Sequence, residues 1–187
     1  MPNGHKIILN QLFKYIDKRT TDIIDLGSGR TSLASILEYF PQAFVDAIVY
    51  PGDLRKINTI TNIAPVQDRY RLVEFDLCTN KIDRCYDLAV AHLLLGEANK
   101  FGNSTDSLIN HLLSVKFKHL ILIDYLEDKS ICFSRLEEIF CSANLTINEK
   151  VVISNADPQD FGEFIGYHNI GYLIERQQYS KHSAPYR

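Results

Sequence analysis

The residues with the most chemical potential lie in one run, Asp25-Leu26-Gly27-Ser28-Gly29-Arg30-Thr31-Ser32, entered from the apolar pair Ile23-Ile24. A carboxylate and two closely spaced glycines stand between an apolar strand and an amphipathic helix leaving near Leu33. Such a strand–turn–helix unit can cradle a nucleotide-like ligand. Glycine lets the backbone come close without a Cβ clash, and the helix start beyond it offers unpaired N–H groups. Asp25 narrows the ligand, because a carboxylate just ahead of the glycines repels a pyrophosphate but attracts a cation or a ribose hydroxyl. Three further apolar runs end in useful residues: Tyr50, Asp76-Leu77 and Ala91-His92. His92, with an ordinary imidazole pKa of roughly 6.5, is the candidate general base among them. A structural or solvated histidine is the plainer alternative.

Stepping outward, the spacing of apolar residues predicts the elements that must hold these groups. A helix is expected from about His5 to Lys18, with Ile8, Leu12, Tyr15 and Ile16 on one face. Strands follow at Asp22–Leu26, Ala43–Tyr50, Arg71–Phe75, Tyr86–Ala91 and Phe117–Ile123. Helices are expected between them, one stopped by Pro41, one capped by Asp53, and one starting at Ser104. Residues 93–103, with Gly96 and Gly102, read as a mobile segment, and Ser134–Ala143 reads as a helix. Two late strands, Leu145–Ile153 and Asn169–Gln177, leave no room for a crossover helix and should pair antiparallel. Strands alternating with helices, with nearly continuous apolar runs, imply a mostly parallel sheet covered on both faces. The expected fold class is therefore α/β: a three-layer sandwich around a seven-stranded, mostly parallel sheet that ends in an antiparallel hairpin. In such a sheet, ligands gather at the carboxyl ends of the strands, where these candidate residues fall.

Composition excludes several function classes. The chain has 187 residues, 45% hydrophobic and 23% charged, which suits a single domain over residues 1–187. Within it, residues 1–19 form an N-terminal helical segment and residues 178–187 a frayed tail. A net charge of −3 gives no global field for nucleic acid. No signal-peptide core or membrane-length apolar run is present, so the cytoplasm is expected, with the four cysteines as reduced thiols. Those cysteines show no zinc-like spacing, His111 and His119 have no partners at metal spacing, and no metal is expected. The triplet Asp160-Phe161-Gly162 lacks the companion motifs of a kinase and reads as chance.

The ordered strand ends resemble those of the class I S-adenosylmethionine-dependent methyltransferases. Asp25-Leu26-Gly27-Ser28-Gly29-Arg30-Thr31 is similar to the first family motif, Asp76-Leu77 to the pair after the third strand, and Tyr86-Asp87-Leu88-Ala89-Val90-Ala91 to the fourth-strand motif. The paired last strands resemble the family's reversed hairpin. The resemblance runs from about residue 20 to residue 177. It implies S-adenosylmethionine as cofactor, with Asp25, Gly27, Ser28 and Gly29 at its amino-acid end and Tyr50, Asp76, Leu77 and Ala91 around the adenosine. It also implies methyl transfer to an O or N nucleophile of an unidentified acceptor, small or macromolecular. His92 would be the base, while Glu97, Asp124, Tyr125 and Glu127 flank the same edge, there to meet substrate or solvent. The match departs at two places: Thr31 replaces a third glycine, and Val49 stands where the family usually grips the ribose with an acid. Ala91-His92-Leu93-Leu94 also lacks the Asp/Asn-Pro-Pro-aromatic motif of amino-directed nucleic-acid methyltransferases. Two other readings use the same residues. One is a non-catalytic binding or regulatory module of this fold, suggested by Val49. The other is a nicotinamide-dependent oxidoreductase, since Gly27-x-Gly29-x-x-Ser32 approximates that fingerprint.

Overall fold

The computed structural model describes residues 4–61, 67–98, 104–154 and 167–177. The expected tail, most of the loop between the last two strands, and residues 99–103 lie outside the described residues.

The chain runs α1 (Gly4–Phe13), β1 (Asp22–Leu26), α2 (Arg30–Tyr39), β2 (Phe44–Val49), α3 (Leu54–Thr61), β3 (Tyr70–Glu74) and β4 (Cys85–His92). It continues through α4 (Leu94–Ala98), α5 (Thr105–Ser114), β5 (Lys116–Tyr125), α6 (Phe133–Ser142), β6 (Leu145–Ser154) and β7 (His168–Arg176). The strands form one seven-stranded sheet in the order β3-β2-β1-β4-β5-β7-β6. The first five are parallel, and β7 inserts antiparallel between β5 and β6. The order reverses between β1 and β4, so the Gly27–Gly29 turn and the end of β4 open on the same crevice.

Two apolar cores sandwich the sheet. Ile23, Val45, Val49, Leu88, Val90, Ile121 and Leu173 face α1 and α2, while Ile24, Leu26, Ile48, Ala91, Leu120 and Leu122 face the opposite helices. Residues of β1, β2, β4, β5 and β7 therefore alternate in direction yet most are buried, which accounts for the unbroken apolar runs. The edge strands are the contrast: β3 has no buried residue, and β6 alternates exposed and half-buried positions after buried Leu145.

The element ends follow local chemistry. Asp53 accepts the Lys56 N–H at 3.1 Å and caps α3, and the Ser104 hydroxyl accepts the Ser107 N–H at 3.2 Å at the start of α5. The α1 helix stops at Phe13, five residues short of the expected end. Its last turn tightens, with Tyr15 and Ile16 donating to Leu12 and Phe13, and the Asp17 carboxylate then captures the Arg19 N–H and guanidinium. Residues 94–98, expected as part of a mobile segment, form the short helix α4. Gly171 lets α1 lie close on β7: a Cβ there would come within 2.8 Å of Ile8 and 2.9 Å of Leu12. That approach brings the first turn of α1, including His5, over the carboxyl ends of β4 and β5.

Candidate active site at the carboxyl edge of the sheet

The turn after β1 is held from below. Asp25 is fully buried, and its Oδ2 accepts hydrogen bonds from Ser28 Oγ at 2.5 Å and Ser32 Oγ at 2.8 Å. Ser32 Oγ in turn accepts the Gly29 N–H at 3.2 Å, and the Ser28 N–H donates to the Ile48 carbonyl at 2.6 Å. Gly27 adopts a φ of +71°, a left-handed conformation that glycine takes without strain. Asp25 thus lies beneath the turn instead of lining open space. Its Oδ1 is buried and has no hydrogen-bond partner among the described residues. Burial pushes the carboxyl pKa up to about 6, against the pull of both serine hydroxyls and the Lys56 ammonium. Lys56 reaches over from α3 and donates to the Gly27 carbonyl at 3.5 Å.

The carboxyl end of β2 is taken up by packing and capping. Val49 is fully buried in the core facing α2, and Asp53 is engaged in capping α3. Glu74, opposite Val49 in the β2–β3 pairing, accepts the Gly52 N–H at 3.0 Å. Asp76 closes an Asx turn, accepting the Cys78 N–H at 2.9 Å, while its carbonyl accepts from Thr79 and Asn80. Tyr50 is half-buried just beyond β2. Leu77 and Ala91 belong to the same apolar cluster as Leu26 and Ile48, so they form a floor rather than polar contacts.

At the end of β4 the picture changes. His92 Nε2 lies 2.9 Å from His5 Nδ1, and His5 Nε2 lies 3.0 Å from the Tyr125 hydroxyl. The rings meet edge to face, with centroids 4.9 and 5.5 Å apart, and His5 is buried. Burial, with the His5 ring and the Lys56 ammonium nearby, holds His92 well below the usual imidazole range and therefore neutral at pH 7. Sequence spacing placed His92 at this edge but missed His5 and Lys56. Neither has a local motif, and His5 and Tyr125 are joined across 120 residues by tertiary packing.

Of the flanking acids, Asp124 faces neither substrate nor solvent. It is buried and accepts the N–H groups of Leu95 at 3.0 Å, Gly96 at 3.3 Å and Tyr125 at 3.1 Å, so it caps α4. Burial raises its pKa to about 7, with Asp128 adding to the rise and the backbone donors opposing it. Glu127 binds the His168 N–H and ring, and the Glu97 side chain lies outside what the structure describes. Leu93, between His92 and α4, takes a φ of +56°, which is strained for a branched side chain. The strain turns the chain so that Leu94 covers Gly27, where a Cβ would come within 2.7 Å of Leu94 Cδ1.

No protein-family model and no curated protein matches the sequence. Solved structures do match. The StiE O-MT segment, residues 942–1257, superposes with a TM-score of 0.68 at 15% identity, over 94% of this chain and 75% of that one. A Pyrococcus horikoshii protein described as a candidate RNA methyltransferase gives 0.71 at 12% identity, over 93% and 83%. An rRNA methylase from Escherichia coli gives 0.59 at 19% identity, over 91% and 64%. Identities this low carry the architecture alone, and the strand order with its reversed β7 is the architecture in common. What this chain shares with these proteins is the class I methyltransferase fold.

Proposed function

We propose that the chain is an S-adenosylmethionine-dependent methyltransferase acting on an O or N nucleophile. The observation that carries this reading is the Asp25-braced Gly27–Gly29 turn at the point where strand order reverses, with the His92 imidazole at the end of the adjacent strand. Fit to the cofactor is best at the turn. Among the described residues Asp25 Oδ1 is a buried acceptor lacking a partner, and a Cβ at Gly29 would meet nothing within 4 Å, so a ligand can approach that backbone. In this reading Gly27, Ser28 and Gly29 hold the amino-acid end, with Asp25 acting from beneath through Oδ1. Tyr50, Asp76, Leu77 and Ala91 border the adenosine.

The bound cofactor supplies an activated methyl group on a leaving thioether that departs neutral. The protein's remaining tasks are alignment, exclusion of water and proton removal. Leu94 and α4 cover the turn, and His92 takes the acceptor's proton. The solved neighbours include an O-methyltransferase segment and an rRNA methylase, and this spread supports an O or N acceptor of either size. A reducing, cytoplasmic setting belongs to the same reading, supported by four free thiols.

Titrating the chain with the cofactor and with its demethylated product by calorimetry tests the proposal. Binding that Asp25→Ala abolishes without unfolding supports it, and no binding at millimolar ligand rejects it. The buried Val49 favours a second reading, a fold kept for binding alone. Cofactor binding with no methylated product across a lysate screen with radiolabelled donor would select that reading.

A further inference from the structure

We propose that His5 is a positioning residue for His92, and that His92, His5 and Tyr125 form a single path carrying a proton away from the methyl acceptor. The proposal rests on the methyl-transfer reading above, because losing a proton from the acceptor is what such a path serves.

The geometry is a chain of side chains from three elements. His92 ends β4, His5 sits in the first turn of α1, and Tyr125 ends β5. The links are 2.9 Å between His92 Nε2 and His5 Nδ1, and 3.0 Å between His5 Nε2 and the Tyr125 hydroxyl. A neutral imidazole has one N–H and one acceptor nitrogen, so hydrogen bonds at both His5 nitrogens couple the two rings' tautomers. If His92 donates from Nε2, His5 must accept at Nδ1 and donate from Nε2 to Tyr125. His92 Nδ1 is then left with a bare lone pair, in the form a base needs. Among the described residues, the charged and titratable groups acting on His92 are His5 from α1 and Lys56 from α3. The Lys56 ammonium disfavours a lasting positive charge on His92, and the His5 Nδ1 lone pair gives a proton taken up there a way onward. Asp25 shares this face of the sheet but is bonded to two serines.

The step balances. As the acceptor's heteroatom forms its bond to the methyl carbon and the sulfur–carbon bond breaks, the proton leaves the acceptor for His92 Nδ1. The Nε2 proton of His92 passes to His5 Nδ1, the Nε2 proton of His5 passes to the Tyr125 oxygen, and the phenolic proton leaves to water. No oxidant or further reactant is needed. The polar row also extends one strand further. Asn169, paired with Tyr125 across β5 and β7, is fully buried, and neither polar atom of its amide has a hydrogen-bond partner among the described residues.

The test is the tautomer of His92, read by long-range proton–nitrogen correlation in the full chain with nitrogen-labelled histidine. In the wild type His92 is expected as one tautomer, protonated at Nε2 and bare at Nδ1. His5→Asn should keep that state, because its amide oxygen can stand in for Nδ1. His5→Phe should give a mixture of the two neutral His92 tautomers. Should His5→Phe fail to fold, the near-isosteric Tyr125→Phe serves: it should redistribute the His5 tautomer while leaving the fold intact. Protonation of wild-type His92 at Nδ1, or spectra that neither His5→Phe nor Tyr125→Phe alters, would overturn the proposal. Calorimetry with the demethylated cofactor on the same samples separates the two claims. Cofactor binding with an unaltered His92 tautomer rejects the relay alone, whereas a fixed tautomer with no cofactor binding rejects the methyl-transfer reading and with it the relay's task.

Discussion

The two halves of the sheet's carboxyl edge treat their polar side chains in opposite ways. Around β1, β2 and β3 the acids serve the protein's own framework: Asp25 braces two serines, Asp53 caps α3, Glu74 takes the Gly52 N–H and Asp76 closes its own turn. At β4 and β5 the side chains bond to one another, from His92 through His5 to Tyr125. The first half is a shaped surface with little charge to offer a ligand. The second is a connected set of groups that can move a proton. On the proposed reading recognition and chemistry fall to different strands, and each half can be altered while the other reports.

The largest effect is expected from Val49→Asp, which would return an acid to the ribose end. Val49 is fully buried among α2-facing side chains, so the new carboxylate would be desolvated without a partner. A loss on the order of 3 kcal/mol in denaturant unfolding is expected, with no gain in cofactor affinity. Tighter binding at unchanged stability would mean that the binding half lacks an acid merely by substitution and is not apolar by construction.

Next comes Asp124→Ala. Three backbone N–H groups lose their acceptor, two of them at the start of α4. Stability should fall by about 2 kcal/mol, and hydrogen exchange should quicken through residues 94–98. Exchange that stays slow there would show that α4 is held by packing alone. Gly27→Ala should cost about 1 kcal/mol, because an L residue is strained at φ +71° and its Cβ would displace Leu94. Its larger consequence is weakened cofactor binding with His92 unaffected, which would confirm that the two halves are separable.

The smallest effect is a pH slope. Burial raises the Asp25 pKa in the folded chain to about 6, above an unfolded value near 4. The folded state therefore holds this proton more tightly. The associated stability is complete below about pH 4 and is lost as pH rises to about 6. Asp25→Asn keeps the serine bonds through its amide oxygen and removes that titration. Relative to wild type, the variant should gain stability between about pH 4 and pH 6 and run parallel above it. Parallel curves throughout would place the Asp25 carboxyl in contact with water.

How legible this was in the sequence differs between the same two halves. The glycine turn, the parallel strands and the final hairpin were readable because local rules decide them: apolar runs for covered strands, glycine for a left-handed turn, a short connection for antiparallel pairing. Val49 at the end of β2 was readable by counting from Pro41. The fate of the acids was less so, because an Asp beyond a strand looks the same whether it meets a ligand or, like Asp76, its own backbone. Asp124 was misread as a flanking group, since its burial comes from α4 folding back over β5. The His92–His5–Tyr125 chain left no trace in spacing. It exists because Gly171 lets α1 settle against β7, and no local pattern encodes that contact.

The central claim is that the turn after β1 binds S-adenosylmethionine. The direct measurement is isothermal calorimetry of the full chain with the cofactor and with its demethylated product, run beside Asp25→Ala checked for intact circular dichroism. Saturable binding to the wild type at one site, lost in the folded Asp25→Ala variant, is expected. No heat at millimolar ligand, or equal binding by the variant, would contradict it.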